Sequence, residues 1–220
     1  MAASSILTGD SNIVGAALPL YATTYLLPQI IRTIKIGKAE DLALGTLALD
    51  VSTSTLFTSY GIEIDAKPFI VSSSLAVLGG LSLSYLKMRD IIKTGKEKIT
   101  SLIGSALTIA GTCWVIDHFV NNNEPNMIMM FGGIAASLVY VPQSYKSIRT
   151  KKTEDLSLTS LVMDFSGCSL LLLYGAMIGD NPLMYASGAL VSFISIPTGL
   201  KLKDMIRKIR YPEKSTSRDE

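Results

Sequence analysis

Apolar residues fill seven stretches of about 20 residues, and the charged residues gather between them. The stretches are 12–33, 42–62, 68–88, 99–120, 126–148, 156–178 and 182–202. At about 1.5 Å per residue, each crosses a hydrocarbon layer of about 30 Å as an α-helix. Buried helices of a soluble protein would show a polar face at a period of about 3.6 residues. Segments three, four and seven show very little charge on any face. Segment two, "LALGTLALDVSTSTLFTSYGI", is the least apolar. Its Ser and Thr hydroxyls can bond within their own helix or to a neighbour, so it is still expected to span. The pattern predicts an all-α polytopic membrane protein.

Charge sets an orientation. Of the 20 basic residues, 19 fall after helices one, three and five or in the C-terminal tail, and only Lys67 falls on the other side. By the positive-inside rule the tail is expected in the cytosol and the N-terminus in a lumen or outside the cell. One span more or fewer would scramble this asymmetry. The first residues, "MAASSILTGDSN", lack a basic n-region and a long apolar h-region, so no cleaved signal peptide is expected. Composition agrees with a membrane setting. The 220 residues are 48% hydrophobic and 17% charged, against about a quarter charged in soluble domains. A net charge of +2 without an aromatic-basic motif points to no nucleic-acid partner. Cys113 and Cys168 both sit in apolar runs and read as small helix-packing residues, not as a disulfide framework or metal site.

A shift of 114 positions aligns 26–92 with 140–206 without a gap, with 22 identities in 67 positions. "PQIIRTIKIGKAEDLALGTLALD" (28–50) thus recurs as "PQSYKSIRTKKTEDLSLTSLVMD" (142–164). Each unit holds three helices, which reverse the direction of the chain; the unpaired fourth helix restores it. The expected organisation is a first unit over 12–92, a linker helix over 99–120, a second unit over 126–206 and a cytosolic tail over 207–220. Parallel repeats imply a pseudo-two-fold axis along the membrane normal, with a solute site where the two bundles meet.

Two Pro-Gln dipeptides, each late in the first helix of its unit and followed by a basic loop and Glu-Asp-Leu-x-Leu, resemble the PQ-loop repeat family. That family includes the SWEET sugar carriers, cystinosin and the lysosomal cationic amino-acid exporters. The KDEL receptor shares the 3+1+3 arrangement. In motif the second unit, "KKTEDLSLTSLVMDFSGCS", is most similar to cystinosin-like members. The resemblance implies that Asp164 stands at a proton-coupling position. It also has Gly167–Cys168 where cystinosin has Gly-Gly, and Asp50 where cystinosin and many SWEETs place Asn.

Asp50 lies 9 residues beyond Asp41, and Asp164 lies 9 beyond Asp155. Each is therefore expected about 13 Å into the membrane. An ionised Asp there costs about 2.5–3.5 kcal/mol on insertion scales, so it must be paired, face water or carry a proton. No Lys or Arg is expected at similar depth in any span. Asp164 is the expected coupling site, with Asp50 as its partner for solute or proton. The alternative is that each carboxyl only bonds neighbouring hydroxyls such as Ser52, Ser54 or Ser166. Pro28 and Pro142 each remove a helical bond and bend the axis. With Gln29 and Gln143 beside them they are expected to form a hinge or gate in each half. Pro68 and Pro182 open helices three and seven, where a missing N–H costs nothing. Glu40, Asp41, Glu154 and Asp155 suit helix N-termini. Tyr60 and Tyr174, near the lumenal ends, read as interface anchors, Trp114 as an interface or packing aromatic, and His118 as a solvated helix end.

No nucleophile–base pair, phosphate-cradling loop or metal-spaced Cys/His cluster appears, so no enzyme, metal or cofactor is expected. The expected function is a proton-coupled carrier of a small polar solute, amino-acid- or cystine-like. It would move from lumen to cytosol across an endomembrane of the lysosome or vacuole kind, by alternating access. Solute, protons and the lipid bilayer are its expected partners, with a homo-oligomer open. Two alternatives stand beside it. One is a proton-independent sugar facilitator of the SWEET kind, against which the two aspartates argue. The other is a cargo receptor or accessory protein, which would need fixed basic groups within the spans.

Overall fold

Every predicted span forms a helix. The computed structural model describes residues 11–36, 44–94, 99–150 and 158–210. Its helices are α1 (Ser11–Ile36), α2 (Leu44–Glu63), α3 (Lys67–Thr94), α4 (Ile99–Asn121), α5 (Pro125–Thr150), α6 (Leu158–Ile178) and α7 (Asn181–Arg210). Among the described residues, four stretches are long and apolar enough by themselves to cross a membrane: Lys67–Ile92, Ile99–Asn121, Leu161–Ile178 and Asn181–Arg207. Shorter apolar stretches mark α1 (Ile13–Ala22) and α5 (Pro125–Leu138). α2 is the least apolar because it is central. It packs on α3, α5 and α4 and buries Ser52 and Thr53 along with Leu47, Leu56 and Phe57. Thr55 and Thr58 donate to the carbonyls of Val51 (2.7 Å) and Ser54 (2.8 Å) one turn back, so their hydroxyls are satisfied inside the helix.

The packing repeats as the sequence does. α3 lies against both α1 and α2, and α7 lies against both α5 and α6. Two seams join the halves, α2 on α5 and α6 on α1, which exchange under the repeat. Among the described residues, α4 packs only on α2 and α5 and leaves most of its surface exposed. The exposed Ile103, Leu107, Ile109 and Trp114 on it suit a lipid-facing linker. Exposed His118 stacks on Trp114 with ring centroids 5.2 Å apart, at the solvated end of the helix.

The helix ends correct the sequence reading. α3 runs on to Thr94 and α7 to Arg210. Arg89, Lys203 and Arg207, expected in a loop or the tail, therefore lie on helical extensions, and Lys87 and Lys201 lie well inside their helices. Arg207 in the last turn of α7 opposes the negative pole of the helix dipole, and a helix leaving the hydrocarbon has no reason to stop. We refer to this side of the bundle as the basic end. Glu40, Asp41, Glu154 and Asp155 lie outside the described residues.

The opposite end has tight connections. Asp65, Asn123 and Gly179 close α2, α4 and α6 with φ of 51°, 55° and 73°. The left-handed residue lets the N–H of Ala66 return to the Gly61 carbonyl (3.0 Å), Glu124 to Phe119 (2.9 Å) and Asp180 to Gly175 (2.9 Å). Just inside lies a packed layer, with Tyr60, Phe69, Ile128, Met129 and Leu183 almost wholly buried.

Candidate functional site

A cavity of about 240 Å³ lies between the two halves. α1 contributes Leu18, Tyr21 and Ala22. α2 contributes Leu47, Asp50, Thr53, Ser54 and Phe57. α3 supplies Phe69, Ser72, Ser73, Ala76, Gly80 and Leu83, and α6 supplies Asp164, Gly167, Cys168 and Leu171. Among the described residues, α5 and α7 add only Ala136 and Leu190.

The structure brings the two aspartates to this one cavity. Each stands six residues beyond the first described residue of its helix, about 9 Å along it, one on α2 and one on α6. Asp50 is open to the cavity and Asp164 is half-buried. The two carboxyls are near enough to act on each other electrostatically. Ser166 donates to the Val162 carbonyl in its own helix (2.7 Å), so its proton is not spent on Asp164. One cation lies deeper than expected. Lys87 is buried on α3, one turn beyond the cavity-lining Leu83.

Pro28 and Gln29 sit within α1 and Pro142 and Gln143 within α5; their side chains lie outside the described residues. The helices run on through all four positions, as far as Ile36 and Thr150. A further proline, Pro197, lies buried inside α7.

Close approach shapes both seams. Tyr21 lies flat against the bare backbone of Gly167, where a Cβ would collide with its ring. On the other seam, Phe57 fills the notch at Gly132, where a Cβ would stand 2.7 Å from Phe57 Cε1. The Tyr21 hydroxyl and the Thr53 Oγ1 are buried with no hydrogen-bond partner among the described residues. Both residues line the cavity, so both hydroxyls are poised for a group placed there. Cys168, expected to be a packing residue, also lines it.

Tyr60 and Tyr174 are not interface anchors. They are 1% and 5% exposed, inside the bundle. The Tyr60 hydroxyl donates to Asp180 Oδ2 at 2.6 Å, and Asp180 Oδ1 accepts the Leu183 N–H at 2.9 Å. Asp180 thus caps α7 and ties α2 of the first half to the second half. The repeat partner of Asp180 is Ala66, so Tyr174 has no equivalent carboxylate. The sequence reading missed Tyr21, Thr53 and this pair. A tyrosine ending one helix and an aspartate before another, 120 residues apart, carry no local signal.

Chemically, the site offers two carboxyl groups as acceptors, hydroxyls as donors, and apolar walls from Leu18, Phe57, Phe69 and Leu171. Among the described residues, no group of three or more His, Cys, Asp or Glu side chains is placed to hold a metal ion.

Comparison with known proteins agrees with this architecture. The family model described as PQ loop repeat matches residues 125–184. The sugar transporter SemiSWEET of Bradyrhizobium diazoefficiens is 32% identical over 91 residues, covering 40% of this chain and 98% of that protein. An uncharacterized protein of Methanocaldococcus jannaschii is 28% identical over 81 residues, 37% of this chain and 87% of that one. The SemiSWEET of Leptospira biflexa is 28% identical over 79 residues, 36% of this chain and 93% of that one. Each of these relatives is therefore about as long as one three-helix repeat. The solved structure of a eukaryotic SWEET transporter superposes with a TM-score of 0.72, over 91% of this chain and 99% of its own, at 13% identity, which speaks to the fold. The expected nearness to cystinosin finds no support in these relatives. With its doubled three-helix unit and these relatives, the chain belongs to the PQ-loop repeat family of multi-pass membrane proteins.

Proposed function

We propose that the protein is a passive carrier of a small neutral polar solute, with a monosaccharide as the leading class. The observation that carries this reading is the cavity between the halves, with carboxyls and unpartnered hydroxyls on apolar walls. At about 30 Å³ per water in the liquid, about 240 Å³ takes on the order of eight water-sized groups. One hexose fits. Asp50 and Asp164 accept from sugar hydroxyls, and Tyr21 and Thr53 donate. Two relatives bear the name sugar transporter, which supports the class.

Transport follows from the repeat. Two similar half-bundles rock about a site between them. In the present state the packed layer of Tyr60, Phe69, Ile128, Met129 and Leu183 shuts the end away from the basic residues, with the Tyr60–Asp180 bond across it. Opening that end requires the bond to break. We take the basic end to face the cytosol, as the charge asymmetry requires.

A second reading rests on the paired aspartates. Two ionised carboxylates in one cavity repel, and a proton held between them relieves the repulsion. A solute moving with that proton would make the protein a coupled carrier, with amino acids as candidate solutes. The deciding experiment is labelled glucose exchange in sealed liposomes with a pH dye inside. Exchange without pH change supports the passive carrier. Amino-acid flux with proton movement, lost in Asp164→Asn, would replace it with the coupled one.

A further inference from the structure

The cavity is lopsided although the chain is doubled. On α3 it is lined by Ser72, Ser73, Ala76 and Gly80. A shift of 114 carries these to Ala186, Ser187, Leu190 and Ile194 on α7. There the same face is closed. Ala186 is buried against Gly133 of α5, Leu190 is 3% exposed, and Ile194 is 0% exposed. One substitution accounts for the open space: where the second half has Leu190, the first has Ala76. Gly80, where the second half has Ile194, instead admits Val51 of α2, since a Cβ there would stand 2.8 Å from Val51 Cγ2. The side-chain volume removed at Ala76 appears as open space beside α3.

Small residues alone do not make a binding surface. Here a second observation points to a ligand. Thr53, 7% exposed, lines the same space, and its Oγ1 has no partner among the described residues. Burying a hydroxyl without a partner is unfavourable, and a bound polar solute removes that penalty. The Tyr21 hydroxyl is in the same condition. The repeat partners of these two residues are Gly167 and Ala135, which carry no hydroxyl. Ser187 Oγ on α7 is also buried without a partner among the described residues but does not line the cavity, so the donors that face the cavity are as one-sided as the space. Ser73 donates to the Phe69 carbonyl (2.7 Å), which leaves its oxygen free to accept.

We propose that the solute is held off the pseudo-two-fold axis, against the α3 face of Ser72 and Ala76, with the Thr53 and Tyr21 hydroxyls as donors and Leu190 as the wall that limits its size. This deepens the carrier reading and rests on it. The aspartates keep their symmetric places, but the solute meets them from one side. A solute on the axis would need equal room beside α7, and Leu190 and Ile194 fill that room.

The test uses full-length protein in liposomes with Cys113→Ser and Cys168→Ser as background. Ser72→Cys and its repeat partner Ala186→Cys are exposed to a small methanethiosulfonate reagent, with and without glucose, sucrose or neutral amino acids. The expected result is labelling at position 72 at least tenfold faster than at 186, slowed by glucose. Equal labelling of the two positions overturns the off-axis placement. Fast labelling at 72 slowed by an amino acid and not by glucose keeps the placement and overturns the sugar class. Fast labelling that no solute slows overturns the placement of a solute there. As a check on function, Ala76→Leu copies the second half's residue into the first. It is expected to weaken glucose binding at least tenfold in protein that still elutes as folded. Thr53→Val, which keeps shape and loses the hydroxyl, is expected to weaken it about fivefold, and unchanged binding in both variants counts against the proposal.

Discussion

On the proposed carrier reading, the bond between Tyr60 and Asp180 helps hold one end of the bundle shut. Tyr60→Phe removes a single oxygen. The ring stays, so the packing around a residue only 1% exposed is kept. What is lost is a 2.6 Å hydrogen bond to a carboxylate. Such bonds contribute about 1.5–3 kcal/mol. Asp180 is half-exposed and keeps the Leu183 N–H at 2.9 Å, so its charge is not stranded and the lower figure applies. At about 1.4 kcal/mol per factor of ten, the variant shifts the equilibrium toward the state open at that end by about tenfold. Cys168 reports the shift, because it lines the cavity beyond the packed layer. With Cys113→Ser, an impermeant thiol reagent added on the side away from the basic end should label Cys168 about ten times faster in Tyr60→Phe. Label added from the basic end should react no faster. If the rates from both sides match those of the wild-type tyrosine, the bond does not hold that end shut.

Other expectations concern packing, charge and topology. Gly167→Ala and Gly132→Ala drive a methyl into Tyr21 and Phe57, and each should cost about 1–3 kcal/mol, seen as a lower melting temperature in detergent. Gly111→Ala on α4 meets nothing within 4 Å, so its melting temperature should hold or rise. Asp50→Asn and Asp164→Asn exchange a charge-assisted acceptor for a neutral one, a difference of about 1 kcal/mol, so each should weaken glucose binding about fivefold. A tag after Glu220 should be cut by protease only when the cytosolic face is accessible; cutting from the opposite face would reverse the assigned orientation.

Seven helices were legible because lipid demands long apolar runs, and the doubling was legible because 22 of 67 positions repeat. The two aspartates were legible for the same reason: a carboxyl in an apolar run needs an explanation. Helix ends were less so. Composition marks where hydrocarbon stops, and α3 and α7 continue as basic helices beyond it. Tyr60 was misplaced at the membrane interface because depth along a helix is readable and the direction a side chain faces is not. The role of α3 was hidden since Ser, Ala and Gly facing a cavity read like the same residues facing a neighbour. A signal existed in the repeat itself, in the pair Ala76/Leu190. It speaks only once the helix face is known.

The most direct test of the carrier account is glucose counterflow in liposomes that also report internal pH. The account predicts that trapped unlabelled glucose draws labelled glucose inward, that internal pH stays level, and that Ala76→Leu lowers the uptake at least tenfold at glucose concentrations below half-saturation. Uptake that moves protons in step with solute would contradict the passive mechanism. No uptake of any sugar or amino acid by folded protein would contradict the carrier itself.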